Sequence, residues 1–533
     1  MKLFSLSELA NVLLLASQGR HTDPFGKKKL LNGVMHMVLR LMAAQFNLRP
    51  FLRKYMQSRD GWINVGIGFK SRTGSVEQAI IFKDGRVRVF GAIPDGVDVT
   101  LIFMDDHVLK EMARSTPNEI LNLILKNKLV LDGNLAALQL FNYYIALIMG
   151  GIHQKMLDRS NREDRAARKA QYSQDDPGLS SALEIRKRYR MPGVARADKG
   201  VKYLDDPYLA GYSIENFPRL KKFFDIHFER LPEVCAERPR LNTEWHRQHG
   251  FEKDNDGRAW APEKRQSLAF RHLMAHKKPV IRQDDLIAGT TTAKEVGVTV
   301  FPDGQGTMFW AELNSVEKRV MIPYECSKET ARTLHHDVFP YWLHRNLREY
   351  VRRNFDYPLC QKIDERFVAY FVWKSVGISH TIPNFKRLLE QGIDGVVRTI
   401  RRRLADASLT QDQTVTLNAM ITCLESVVVY ANRLSDKAAL LAAKEKSTQR
   451  KKELQRLAEI CSKVPAQPSE TLDEALNAVW ILWIALHMEN SNTGLSLGRL
   501  DQLFQPFFEN DMAGCPAGEV RQAYIEHAIE LVG

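Results

Sequence analysis

The chain has 533 residues, enough for two to four domains of about 150 residues each. Its 44% hydrophobic and 26% charged residues are globular averages, which excludes a disordered or collagen-like chain. The net charge of +13 is compatible with nucleic acid or anionic lipid, but it is equally the charge of many soluble enzymes, and that reading is preferred.

Six cysteines (Cys235, Cys326, Cys360, Cys423, Cys461, Cys515) are scattered without zinc or redox-motif spacing, as in a reducing compartment. Met1–Gly19 carries one basic residue and is interrupted by Glu8, so it does not read as a secretory signal. The expected location is cytoplasmic.

In chain order, Leu3, Leu6, Leu9, Ala10, Leu13 and Leu14 recur at helical spacing and predict an amphipathic helix within an N-terminal segment, 1–59. From Trp62 the period shortens. Val65, Ile67 and Phe69 precede a turn at Ser71–Ser75, and Ala79-Ile80-Ile81-Phe82 leads into a Lys83-Asp84-Gly85 turn. Val87, Val89, Val99, Leu101 and Phe103 alternate with polar or small residues, the pattern of half-buried strands. Leu129–Asn134 predicts a short strand and turn. The apolar run Leu135–Ile152 contains Gln139 and Asn142 and ends in Gly150-Gly151, so a packed amphipathic helix is preferred to a membrane span. These elements make a small α+β domain, 60–151. Residues 152–202 are dense in charge and turn formers and read as a linker, its basic clusters a solvated surface. From Tyr203 to Gly533 helical patterns dominate, with a strand-like island at Leu286–Phe309.

Two stretches resemble known families. Ile81–Val87, Asp98–Phe103 and Lys128–Asn134 together look like the sterol-carrier-protein fold. That resemblance implies a small sheet with helices around an apolar tunnel, and a lipid or acyl ligand at 60–151. The second covers 203–533 and resembles the N-terminal part of glycyl radical enzymes of the pyruvate formate-lyase type. Its motifs come in the family's order: Glu237–Glu244, Ile281–Gly289, Ser379–Phe385, Arg450–Leu454 leading to Cys461 and Val464-Pro465, Thr471–Leu476, and Glu489-Asn490 followed by Leu497–Gln502. The fold expected is a lipid-carrier-like α+β domain followed by a mainly helical α/β part, the first half of a glycyl radical enzyme barrel with open sheet edges.

Each motif also has a physical reading. Leu472, Ala475, Leu476, Val479, Leu482, Trp483 and Leu486 form one broad apolar face, so their helix is buried in a large core. Thr471 with Glu474 three residues on predicts a capping box. Gly498-Arg499-Leu500-Asp501 suits either a substrate clamp or a buried Arg–Asp corner ordering the turn into the next helix, and the corner is preferred. His335-His336-Asp337 invites a metal reading, but adjacent helical residues diverge by about 100° and no third ligand is suitably spaced, so no metal site is assigned.

The second resemblance implies radical cleavage of, or addition at, a C–C or C–heteroatom bond, as in a lyase or dehydratase, on a small organic substrate. It further implies a radical stored on a glycine, passed to a thiol, installed by a radical S-adenosylmethionine activase, and anaerobic conditions. His380 falls where the family holds a polar group of the substrate, and an imidazole can donate, accept or hold a carboxylate. Ser379, where glycine is common, departs from the pattern. Cys515 lies in a turn-like Ala513–Ala517 stretch and Cys461 at a structural position; Arg88-Val89-Phe90-Gly91 is explained by a strand and turn. No catalytic residue is therefore assigned and no cofactor is expected to be bound here. The expected partners are the activase, a missing C-terminal half or partner chain, and further copies when complete; nucleic acid is not expected. The rival reading is a non-catalytic lipid- or acyl-binding protein with a degenerate barrel as scaffold.

Overall fold

The computed structural model describes residues 24–112, 115, 117–173, 216–304, 306–319, 322–354, 359, 381–489 and 494–533. They divide into two units, one drawn from Met1–Asp175 and Phe301–Val376, the other from Asp176–Val300 and Gly377–Gly533.

In the first unit the alternating segments form β1 (Val65–Ser71), β2 (Glu77–Lys83), β3 (Arg86–Phe90), β4 (Val99–Phe103) and β5 (Leu129–Gly133). Their order is β3-β2-β1-β4-β5, and β1–β4 is the one parallel pairing of this sheet. Asp84 and Gly85, both at positive φ, close the β2–β3 hairpin, and a side chain at Gly85 would strike the Trp62 ring. The register puts Val65, Ile67, Phe69, Ile80, Phe82, Val99, Leu101 and Phe103 on one face, all buried. Helices α1 (Pro24–Leu48) and α2 (Leu135–Met149) contribute the rings that fill it. Phe46 lies 5.4 Å from Phe82 and 5.0 Å from Tyr144, and Phe141 lies 5.6 Å from Phe69. Each such side chain stabilises by about 1.5–3 kcal/mol through burial.

Asn134 caps α2, its Oδ1 accepting from the Ala136 and Ala137 amides. The chain breaks at Gly150 (φ 49°) and continues as α3 (Gly151–Ser173). The run Leu135–Ile152 is thus not one helix. At 15 residues, α2 is roughly 22 Å long, shorter than a bilayer core. The expected linker begins as α3, where Arg159 pairs with Glu119 and Glu163; Leu3–Leu14 and residues 174–215 lie outside the described residues.

Segment 301–354 belongs to this unit, whereas 203–533 was expected to be one domain. The cause is its packing on α2. Trp310 Nε1 donates to His335 Nδ1 (2.9 Å), His335 Nε2 donates to the Tyr55 carbonyl (2.8 Å), and Asn134 Nδ2 donates to the Leu343 carbonyl (2.8 Å). Likewise α1 is not a separate segment: Asn47 exchanges two hydrogen bonds with Val87 on β3.

In the second unit, strand pairing among the described residues is limited to β6 (Glu233–Cys235) parallel to β7 (Gly297–Thr299) and the bridges Lys253–Ala259 and Thr381–Leu495. Among the described residues no half-barrel sheet edge is seen, and of the described part of the island Leu286–Phe309 only β7 is a strand. Helices build this unit: α4 (Glu237–His249), α5 (Pro262–His276), α6 (Phe385–Leu404), α7 (Gln411–Lys444), α8 (Thr448–Lys463), α9 (Leu472–Glu489), α10 (Leu500–Ala513) and α11 (Glu519–Val532). Thr410 and Gln413 form a reciprocal capping box on α7. By length and composition α7 could cross a membrane, but its Tyr430, Ala431, Leu434 and Ala438 face is buried in the core shared with α5, α8 and α9.

Candidate functional site

The separated motifs of 203–533 converge on α9. Its Leu472, Ala475, Ala478, Val479, Ile481, Ile484, Ala485 and Met488 are buried, while Leu476, Leu482, Trp483 and Leu486 of the predicted apolar face are half-buried, so the helix lies in the core as expected but its most buried face is turned toward Ala478, Ile481 and Ala485. Two polar side chains on it hold the 285–289 segment. Asn477 Oδ1 accepts from the Ala288 amide (3.0 Å) and Trp480 Nε1 donates to the Gly289 carbonyl (2.9 Å). Gly289 (φ 91°) must be glycine, because a Cβ would stand 2.9 Å from Ile484 and 3.1 Å from Leu434.

Buried cations complete this frame. Arg450 donates to the Asp285 and Arg282 carbonyls, each at 2.9 Å, and to Glu453 at 3.0 Å. Burial pushes the Asp285 carboxyl up, against the Arg282 amide that it accepts from. Lys277, fully buried, donates to the Thr291 carbonyl (3.1 Å) and lies 3.6 Å from Glu237; desolvation pulls its ammonium pKa down, against the attraction of Glu237. At the C-terminus of α9, buried Arg238 donates to the Met488 (3.0 Å) and Glu489 (2.9 Å) carbonyls, where a cation also complements the helix dipole. It fixes how the chain leaves α9.

That exit leads to the site. Leu495 pairs in parallel with Thr381, and the Ser496 amide donates to the Thr381 carbonyl (3.1 Å). Gly498 follows at φ 81°, where a Cβ would come 3.2 Å from Ile382. Asn384 caps α6 through the Arg387 amide, and Phe385, Leu388 and Leu389 are buried. The Ser379–Phe385 and Leu497–Gln502 motifs thus lie side by side. His380 itself, with Ser379 and the expected strand Phe367–Val372, lies outside the described residues.

Arg499 Nε and Nη2 donate to the two Asp501 carboxylate oxygens (2.9 and 2.5 Å) at the start of α10, and Arg499 holds the Asp501 pKa down at about 2. Both side chains are exposed, so this is not the buried corner expected. The exposure follows from the i, i+2 geometry, which closes the pair on itself instead of on the core. Glu474 accepts from Lys463 Nζ (3.0 and 2.9 Å) and from the Glu470 amide (2.8 Å). Its own amide donates to Thr471 Oγ1 (3.3 Å), so the carboxylate reaches one residue beyond the box predicted.

Cys461 is buried on α8 with its thiol pushed up to about 12 by desolvation, Cys423 is likewise raised to about 12, and Cys515 sits between α10 and α11, its carbonyl taken by Arg521. Among the described residues no cluster of three or more His, Cys, Asp or Glu could hold a metal. His335 and His336 bond separate carbonyls, and Asp337 pairs with Arg59 (3.6 Å). A cleft of about 260 Å³ lies apart from the Thr381–Leu495 pairing, lined among others by Asp285, Leu457, Asp473 and His527.

Sequence reasoning missed Lys277, Asn477 and Trp480 as framework residues. Asn477 left a signal, an amide inside an apolar run; Lys277 left none, because its burial is created by α7.

The family model described as pyruvate formate lyase-like matches residues 213–531. The chain is 27% identical to the probable dehydratase YbiW of Escherichia coli, over 56% of this chain and 36% of that protein. It is 25% identical to the trans-4-hydroxy-L-proline dehydratase of Clostridioides difficile, over 56% of this chain and 37% of that one. It is 24% identical to the isethionate sulfite-lyase of Oleidesulfovibrio alaskensis, over 59% and 38%. Among solved structures, a glycyl radical enzyme from Archaeoglobus fulgidus aligns at a TM-score of 0.51 and 28% identity, over 59% of this chain and 39% of that one. A structure of 1,2-propanediol dehydration in Roseburia inulinivorans aligns at 0.52 and 25%, over 59% and 36%. The chain spans well under half the length of these relatives.

Proposed function

Because the chain belongs to the pyruvate formate lyase-like family, we propose that it supplies the N-terminal portion of a radical lyase or dehydratase acting on a small organic substrate. His380 would hold a polar group of that substrate. The observation that carries this reading is the Thr381–Leu495 pairing, which joins two motifs more than a hundred residues apart next to His380. Arg238, at the end of α9, would steady the chain that leads to that junction.

The complete enzyme would store its radical on a glycine, installed by a radical S-adenosylmethionine activase. No radical step is routed through Cys423 or Cys461, whose thiols burial raises; thiol and glycine would belong to further polypeptide, in the same chain or a partner. The rival reading is lipid or acyl binding by residues 60–151. It is weakened by the aromatic packing of the sheet face that a ligand would need.

The test is reconstitution with the remaining polypeptide and an activase under anaerobic conditions. Wild type should show a glycyl radical in electron paramagnetic resonance and turn over a diol-, hydroxy- or sulfonate-bearing substrate. His380→Ala should lower kcat/KM at unchanged melting temperature. A large loss of melting temperature with normal kinetics of the surviving fraction would make His380 structural. A radical and turnover in the 533-residue chain alone would refute the division of labour.

A further inference from the structure

Helix α1 is apolar on two sides. Its inner side, Met35, Leu39, Met42 and Phe46, is buried on the sheet. At 100° per residue, Leu30, Met37, Leu41, Ala44 and Leu48 fall within a sector of about 60° on the other side. Along that sector Leu30 is 44% exposed, Met37 39% and Leu48 72%, with Leu41 and Ala44 half-buried between them. The stripe runs about 27 Å at 1.5 Å per residue and ends at a corner where Pro50 restarts the helix and Phe51 stands 65% exposed.

The segment that carries this stripe has charge of one sign, and the acidic residues nearest its corner are Asp60 and Asp84 in the turns beside Trp62. Between Asp23 and Asp60 the sequence has eight basic residues and no acidic one. Arg40, Arg49, Arg53 and Lys54 are exposed beside the stripe and its corner, and Arg53 is braced over the Trp62 ring at 5.3 Å. The Asn47–Val87 hydrogen bonds bring exposed Arg86 and Arg88 to the same end, while Glu77 lies near Asn32 at the other.

We propose that this face of α1, with the Leu48–Lys54 corner as its tip, docks onto an anionic lipid bilayer. A rim in which cations predominate around large aliphatic and aromatic side chains is what an interfacial helix needs, since headgroups take the charges and the acyl boundary takes the apolar stripe. Nucleic acid would leave Leu30, Met37 and Leu48 unused. Self-association would set the cationic rims of two copies against each other. The docking is independent of the radical-enzyme reading.

The experiment is co-sedimentation of the full chain with phosphatidylcholine vesicles, with and without about 30% phosphatidylserine. Binding should require the anionic lipid and weaken strongly at high salt as charges are screened. Arg49→Gln/Lys54→Gln should lower affinity about thirtyfold, at about fivefold for each cation near an anionic surface. Leu48→Glu/Phe51→Glu should lower it at least as much, with wild-type thermal unfolding, while Met420→Glu, at an exposed apolar position in the other unit, should leave it unchanged. Equal binding to neutral vesicles, or retention by both double variants, would overturn the proposal. So would a dimer in sedimentation equilibrium that Leu48→Glu/Phe51→Glu dissolves without changing vesicle binding.

Discussion

The sheet-based unit and the helical unit are held together by different chemistry. In the first, the sheet face under α1 and α2 is filled by Phe46, Phe69, Phe82, Phe103, Phe141 and Tyr144, and the deeply buried His335 beside it is satisfied as a neutral imidazole. In the second, an apolar core around α9 is tied to loops by cations and amides on backbone carbonyls: Arg238, Lys277, Arg450, Asn477 and Trp480. The comparison teaches that shape alone can order a sheet interior. Irregular segments such as 285–289 and 495–498 need a partner for every buried backbone group.

The largest effects should separate the two. Phe82→Ala should cost about 3–5 kcal/mol through the cavity left, and Phe82→Leu much less, because the sheet interior asks only for volume. Arg450→Ala should cost a similar amount by stranding the Asp285 and Arg282 carbonyls, at about 1–3 kcal/mol each, while Glu453 keeps Arg219; Arg450→Lys should recover little, since a point charge cannot span the two carbonyls. Calorimetry of the four variants checks this, and full rescue by lysine would erase the contrast.

Acid should act next, and with opposite signs. Burial lowers the His335 pKa from about 6.5 to about 3, so its contribution is complete above 6.5 and is lost as pH falls toward 3. The sheet-based unit should lose stability over that window at up to about 1.4 kcal/mol per pH unit. His527 in the helical unit is raised by its 3.1 Å bond to Asp473, so it stabilises below 6.5 and fades as pH rises through its folded value. Being partly exposed, that pair should be worth under about 1 kcal/mol. Urea melts between pH 4 and 8 on wild type, His335→Gln and His527→Gln read both signs.

Smaller still, Gly498→Ala should cost about 1 kcal/mol from its positive φ and the nearby Ile382 methyl, seen first as faster hydrogen exchange at Ser496. Arg499→Ala, at an exposed pair, should leave the melting temperature within error of wild type; a drop of several degrees would show that the turn is held more tightly than its exposure implies.

Periodicity carried most of the elements. Val65 to Phe103 alternates because one sheet face is buried, and Leu472 to Leu486 repeats at helical spacing because one broad face is, so both were legible. The seam between the motifs was not: nothing near Arg238 announces Met488, 250 positions away, and nothing near Thr381 announces Leu495. The Arg499–Asp501 pair was legible as a pair but not as an exposed one. His380 was assigned by resemblance and lies outside the described residues.

By itself, the sequence determined the strands of the sheet, the β2–β3 hairpin, most of the long helices and the family motifs in order, because these depend on neighbours a few residues apart. Only the tertiary structure decided that 301–354 packs on α2, that Lys277 and Arg450 are buried, and that α1 presents a second apolar stripe to solvent. Burial and long-range hydrogen bonding are set by which elements meet, and local spacing does not encode that meeting.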